Sequence, residues 1–211
     1  SGTETEFTAM INACSAVGVD IYVDAVINHM TGQDDPGVGT AGSSYSHYEY
    51  PGLYDEGDFK LCGTQFDDIG DYSRRYEVQN CELLNLSDLK TDTAKVQQNI
   101  QAYLQRLVDL GVAGFRIDAA KHMFTHDITE ILAGVEGDFY VFQEVIGASG
   151  ESVLEGEYLI NGDVTEFDYS RELGAIFNQC GRTLSDLETF TEADSMLASD
   201  HAVVFSYNHD N

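Results

Sequence analysis

Gly111-Val112-Ala113-Gly114-Phe115-Arg116-Ile117-Asp118-Ala119 closes one helical pattern and opens a strand. Upstream, Val96, Ile100, Tyr103, Leu104 and Leu107 recur at helical spacing, and Gly111 ends the run. Residues 114–119 then read as a strand. The same pattern stands earlier in the chain. Phe7, Met10, Ile11 and Cys14 fall at i, i+3, i+4 and i+7, predicting a helix over 6–17 that Gly18 ends. The β-branched run over 19–27 follows and is short enough for a buried strand. Both copies run helix, Gly-Val, strand, Asp-Ala. Such repetition implies βα units and a parallel sheet. Further strands are expected over 140–145, 164–169 and 202–207, with helices between them.

Asp24, Asp118, Glu144 and Asp210 each sit at or just past the C-terminal end of an expected strand. Parallel barrels build their active sites at that face. A single carboxylate there could simply cap a helix. Four at matching positions argue for a site. Residues 30–92 break the rhythm with many Gly, Ser, Asp and Tyr and little periodicity. That stretch is too long for an ordinary loop and reads as an inserted small domain. The expected division is a first part of the main domain at 1–29, the insert at 30–92, and the main domain continued over 93–211.

The charge balance is lopsided, with 37 acidic residues against 10 basic and a net charge of −27. Nucleic acid is excluded as a partner, because phosphate contacts need clusters of Lys and Arg. A neutral substrate would not be repelled. The acidity reads as a solvated surface or as adaptation to high salt. No apolar run approaches the roughly 18 residues of a membrane span. Four cysteines without a CxxC spacing favour disulfides over a zinc site. Cys62 and Cys81 bracket a polar stretch that needs a staple, which points to an oxidising, extracellular compartment. The chain starts at Ser1 in mid-element and stops at Asn211 inside a motif, so it is expected to be part of something longer.

Four segments in order, DAVINHM at 24–30, GFRIDAAKHM at 114–123, FQEVI at 142–146 and NHDN at 208–211, resemble the α-amylase family of glycoside hydrolases, family thirteen, in its animal and actinobacterial branch. The resemblance implies a (β/α)8 barrel, here incomplete from about the third strand to the seventh, with a calcium-binding insert after the third. It implies endo-acting, retaining hydrolysis of α-1,4 linkages in starch, glycogen and malto-oligosaccharides by a secreted, monomeric enzyme. Asp118 matches the nucleophile, Glu144 the acid/base, and Asp210 the third carboxylate that holds sugar hydroxyls. Double displacement asks for unequal environments, with a raised pKa at Glu144. Arg116, two residues before Asp118, faces the same side of its strand. His29, Tyr72, Arg116, Lys121, His122 and His209 match sugar contacts.

Asn28, Asp88 and the carbonyls of Gln79 and His122 match the ligands of a structural calcium, all of them oxygens as a hard cation requires. The branch often binds an activating chloride as well. Arg116 and Asn208 match two of its ligands, and the third should be a basic residue on the eighth strand. Cys14 matches a cysteine bonded upstream in the family and should be unpaired here. Tyr207 stands where the family usually has Asp. Asn85-Leu86-Ser87 fits a glycosylation sequon. Three other readings compete. A related glucan hydrolase or transglycosylase would use the same carboxylates. A non-catalytic binding homologue would have lost them. An unrelated metal-dependent barrel enzyme would converge several His and acidic residues on one metal.

Overall fold

The computed structural model describes residues 2–192 and 196–210. Helix α1 (Glu4–Ser15) starts at a capping box. Thr3 Oγ1 accepts from the Glu6 N–H at 3.2 Å, and the Glu6 carboxylate accepts from the Thr3 N–H at 2.7 Å. The chain reverses through Gly18, whose φ of 77° is open to glycine without strain, and enters strand β1 (Tyr22–Ala25). A long excursion follows, holding the short strands β2 (Gly37–Val38) and β3 (Ser44–Tyr45) and helix α2 (Arg75–Asn80). Helix α3 (Ala94–Asp109) and strand β4 (Gly114–Ile117) repeat the opening unit. After them come α4 (Thr125–Ala133), β5 (Tyr140–Gln143), β6 (Asp163–Glu166), α5 (Phe167–Phe177) and β7 (Ala202–Val204).

The main sheet has the order β1-β4-β5-β6-β7, and every pairing in it is parallel. Strands therefore succeed one another in space as they do along the chain, with helices between them. That is the winding of a (β/α)8 barrel over five of its strands. Phe115, Ile117 and Val141 of the sheet are buried, as are Val96, Ile100 and Leu104 on one face of α3 and Ile128 and Ile131 on α4. Close approach of strands explains Gly114. A Cβ there would lie 2.7 Å from the Tyr140 carbonyl oxygen and 2.8 Å from the Tyr22 ring.

Each strand is shorter than the sequence suggests, and one expectation fails in its second half. Residues 164–169 read as a strand, yet β6 ends at Glu166 and α5 begins at Phe167. The Glu166 carboxylate accepts from the Asp168 N–H at 2.9 Å, so it caps the helix and turns the chain out of the sheet.

The excursion between β1 and α3 has little regular structure and is held by side chains. The Cys62–Cys81 disulfide forms, with Cα atoms 5.1 Å apart. The Phe59 ring is buried against Tyr48, Tyr50 and Tyr54 at centroid distances of 5.5, 5.9 and 6.2 Å. Cys14 is free, as expected, and so is Cys180. The sequon residue Asn85 donates its amide to the Gly32 carbonyl at 2.9 Å and to Asp34 at 3.0 Å, an engagement that a glycan would disturb. Among the described residues no helix is long and apolar enough to cross a membrane.

Candidate active site

Register builds the site. Asp24 lies opposite Arg116 across β1 and β4, and Ile117 lies opposite Gln143 across β4 and β5. One residue further on, Asp118 and Glu144 stand side by side at the strand ends. The ladder continues through them: the Asp118 N–H donates to the Ala25 carbonyl at 3.1 Å, and the Glu144 N–H to the Ile117 carbonyl at 2.9 Å. The Arg116 guanidinium then joins all three carboxylates. It donates to Asp24 at 2.8 Å, to Asp118 at 2.9 Å, and to Glu144.

The carboxyls are not equivalent. Asp118 is 22% exposed and Glu144 only 8%. Burial pushes Glu144 above the ordinary carboxyl range, against the opposing pull of the Ala119 N–H and Arg116. The charges of Asp118 and Asp210 push the same way as burial. Ala119 supplies its N–H to Glu144 at 3.1 Å from a left-handed conformation, φ 49° and ψ 32°. For a residue with a side chain that conformation is strained by about 1–3 kcal/mol, and such strain gathers at functional sites.

Tyr72, Lys121, His122, Glu144 and Glu151 line a cavity of 270 Å³ beside these groups. His122 Nδ1 lies 2.8 Å from the Val78 carbonyl and must carry the proton there, leaving Nε2 as an acceptor. Burial draws its pKa down to about 4, so the ring is neutral. Burial also lowers His29, with Asp118 opposing. Asn28 Nδ2 approaches His29 Nδ1 at 3.4 Å, which favours a proton on His29 Nε2. Lys121 is more committed than a free sugar contact would be. Its ammonium donates to the Ile146 carbonyl at 2.6 Å and to Glu151, and lies 5.0 Å from the Tyr72 ring centre. At most one of its three N–H groups is left for a ligand.

Asp210 and His209 are the outlying members. Strand β7 stops at Val204, and the two residues follow it on exposed chain. They pair with each other at 3.2 Å, and the Asp210 N–H donates to Asn208 Oδ1 at 3.0 Å. Asn211, the last residue of the NHDN motif, lies outside the described residues. Of the two residues expected at a chloride, Arg116 donates to Asp24, Asp118 and Glu144, and Asn208 accepts from the Asp210 N–H. Tyr207 is 74% exposed, and nothing in the structure explains its place in the motif.

Three of the residues expected at calcium, Asn28, Gln79 and Asp88, are linked where the excursion leaves and rejoins the main sheet. His29 pairs with Asp88 in a β-bridge, and the Leu89 N–H donates to the Asn28 carbonyl at 2.9 Å. Asn28, Gln79 and Asp88 are each 1% exposed. Asn28 Oδ1 and Asp88 Oδ1 are buried with no hydrogen-bond partner, and burial raises the Asp88 carboxyl to about 7. Unsatisfied, buried, oxygen-only donors suit a hard cation. One residue that the sequence did not single out also stands here. Lys60 Nζ is 3.2 Å from Asp88 Oδ2 and donates to the Gln79 carbonyl at 3.1 Å.

Other participants escaped the sequence reading. Glu151, Ala119 and the side-chain role of Asp24 act through contacts between distant residues or through backbone conformation, and neither leaves a local pattern. Only the position of Asp24 at a strand end signalled it.

The family model described as alpha amylase, catalytic domain, matches residues 1–132. An α-amylase of Thermomonospora curvata is 46% identical over 99% of this chain and 35% of its own length. The pancreatic α-amylase of Sus scrofa is 42% identical over 100% of this chain and 45% of its own. The chain thus spans less than half of these relatives. Among solved structures, α-amylase I of Eisenia fetida superposes with a TM-score of 0.96 at 39% identity, covering 100% of this chain and 46% of that one. A mutant of the same earthworm protein, solved as a complex with maltohexaose, gives 0.95 at 38% identity, covering 99% of this chain and 45% of that one.

Proposed function

Because this chain belongs to the α-amylase family, we propose that the protein carrying it hydrolyses internal α-1,4-glucosidic bonds of starch, glycogen and malto-oligosaccharides by a retaining double displacement. The observation that carries this reading is the Arg116 guanidinium bridging Asp118 and Glu144 at the ends of adjacent parallel strands. A carboxylate on the cation and a buried carboxyl beside it are the nucleophile and the acid that this chemistry needs.

In the first half-reaction the Asp118 carboxylate attacks the anomeric carbon. Glu144 gives its proton to the glycosidic oxygen as the carbon–oxygen bond breaks, and a glycosyl ester on Asp118 remains. In the second, Glu144 takes a proton from water, the water oxygen attacks the same carbon, and the ester bond breaks to restore Asp118. Two inversions leave the anomeric configuration retained. Asp210 and His209 would hold hydroxyls of the ring at the cleaved bond. His29 offers a donor and His122 an acceptor to sugar hydroxyls. Tyr72, Lys121 and His122 line the same cavity, with Lys121 and His122 as contacts on the leaving-group side and Tyr72 as an aromatic contact to the substrate.

Calcium would be held by Asn28, Asp88 and the carbonyls of Gln79 and His122. When bound it supplies a cross-link between the inserted unit at 30–92 and the main domain, not a reacting group. Arg116 and Asn208 are the residues of this chain that would take part in a chloride site. The disulfide supports an extracellular setting, and the protein is read as a monomer.

Proton NMR of the first products from a malto-oligosaccharide tests the mechanism, using the full-length protein. The reading requires new reducing ends to appear as the α-anomer and to mutarotate afterwards. Initial release of the β-anomer would mean a single displacement, and the assignment of Asp118 as nucleophile would fall.

A further inference from the structure

The geometry points to Lys60 as a resident cation of the calcium pocket, one that holds the junction together when calcium is absent and that calcium must displace in order to bind. This inference rests on the calcium reading above. Its basis is where the ammonium stands. Nζ lies 3.2 Å from Asp88 Oδ2 and 3.1 Å from the Gln79 carbonyl oxygen, two of the four donors assigned to the metal.

The placement is built into the backbone. The Lys60 N–H donates to the Asp88 carbonyl at 2.8 Å, and the neighbouring residues Phe59 and Leu89 form a β-bridge. Lysine and aspartate are therefore fixed side by side rather than meeting through a mobile surface rotamer. The Lys60 side chain is 10% exposed and Asp88 1%. A lysine so buried is tolerated only against a counter-charge, and a buried carboxylate has the same need. Each supplies the other.

The match is incomplete, which is why calcium can compete. An ammonium brings one positive charge and three donors. Asn28 Oδ1 and both carboxylate oxygens of Asp88 are buried without a hydrogen-bond partner, so the ammonium meets Asp88 Oδ2 as an ion pair only. Calcium brings two charges and takes six to eight oxygens, so it would use those atoms as well. It could not do so with the ammonium in place, because both cations claim Asp88 Oδ2 and the Gln79 carbonyl and repel one another at contact distance. The consequence is a junction that keeps its fold without metal and binds calcium more weakly than the same oxygens would alone.

The test uses the full-length protein, its K60M variant, in which length and apolar bulk are kept and the charge is lost, and D88N as a control for the location of binding. Calcium binding is followed by titration calorimetry and melting by calorimetry in strong chelator and in excess calcium. We expect K60M to bind calcium at least about tenfold more tightly than wild type, a difference of about 1.4 kcal/mol, and D88N to lose binding. In chelator, wild type should melt close to its calcium-loaded temperature. K60M should melt well below its own, or fail to fold until calcium is added. On wild type alone, calcium should expose the Lys60 amine to acetylation, read by mass spectrometry. Equal calcium affinity in wild type and K60M, or unchanged Lys60 acetylation, would overturn the role of Lys60 and leave the calcium site standing. Absence of calcium binding in both proteins would remove the calcium reading and this inference with it.

Discussion

Arg116 gives hydrogen bonds to three carboxylates at once, and the asymmetry among them is the chemical content of the site. Glu144 is the most buried of the three, and burial outweighs the nearby cation in setting its pKa above the usual carboxyl range. Two expectations follow at this scale. Replacing Glu144 by Gln should lower turnover on starch by about a thousandfold or more while starch binding persists, since a positioned acid/base contributes about 10²–10⁴-fold. A variant keeping a tenth of wild-type turnover in steady-state assays would refute the role. The pH profile gives the second expectation. The acid must be protonated to act, so the rate falls as pH rises through the raised pKa of Glu144. That alkaline limb should be missing from the residual activity of E144Q. Most of these residues were legible in the sequence, because strand ends can be located from apolar runs and carboxylates at strand ends stand out. Ala119 was not. Its left-handed backbone carries the N–H that Glu144 accepts, and alanine carries no mark of that conformation.

At the scale of elements, the helix-strand units were legible because α3 buries one regular stripe and β4 carries a short apolar run. The start of α5 was not, since Phe167 and Tyr169 favour a strand by type and only the Glu166 cap turns the chain. The excursion between β1 and α3 could be recognised as irregular but not drawn. Its order comes from contacts far apart in sequence, such as Arg75 with Glu157 and Lys60 with Asp88. Where so little backbone is in regular structure, the covalent link between Cys62 and Cys81 carries weight. It closes a loop of 19 residues in sequence separation. The chain-entropy model gives about 3 kcal/mol for a loop of that size. Cys81→Ser together with Cys62→Ser should therefore lower the denaturant-derived stability by roughly that amount. Loss of under about 0.5 kcal/mol would show that the segment is held by its aromatic contacts alone.

For the whole molecule, two global properties bear on the account. The first is charge. With 37 acidic and 10 basic residues, most surface carboxylates have no cation to pair with, and they repel one another in the folded state. Raising salt from 0.1 M to 1 M shortens the Debye length from about 10 Å to about 3 Å. The melting temperature should rise over that range by calorimetry, and a fall would mean that ion pairs such as those of Arg116 outweigh the repulsion. The second is the shared direction of the strands. All five point the same way, so Asp24, Asp118 and Glu144 emerge at one face without any special local arrangement. The central claim is that this face carries a covalent mechanism with Asp118 as its nucleophile. The most direct measurement incubates the full-length enzyme with a fluorinated α-glucosyl fluoride whose ester intermediate hydrolyses slowly, then maps the labelled peptide by mass spectrometry. The account predicts one glycosyl unit attached to Asp118. Label on Glu144, Asp210 or another carboxylate, or release of product with no label while the reagent is turned over, would contradict it.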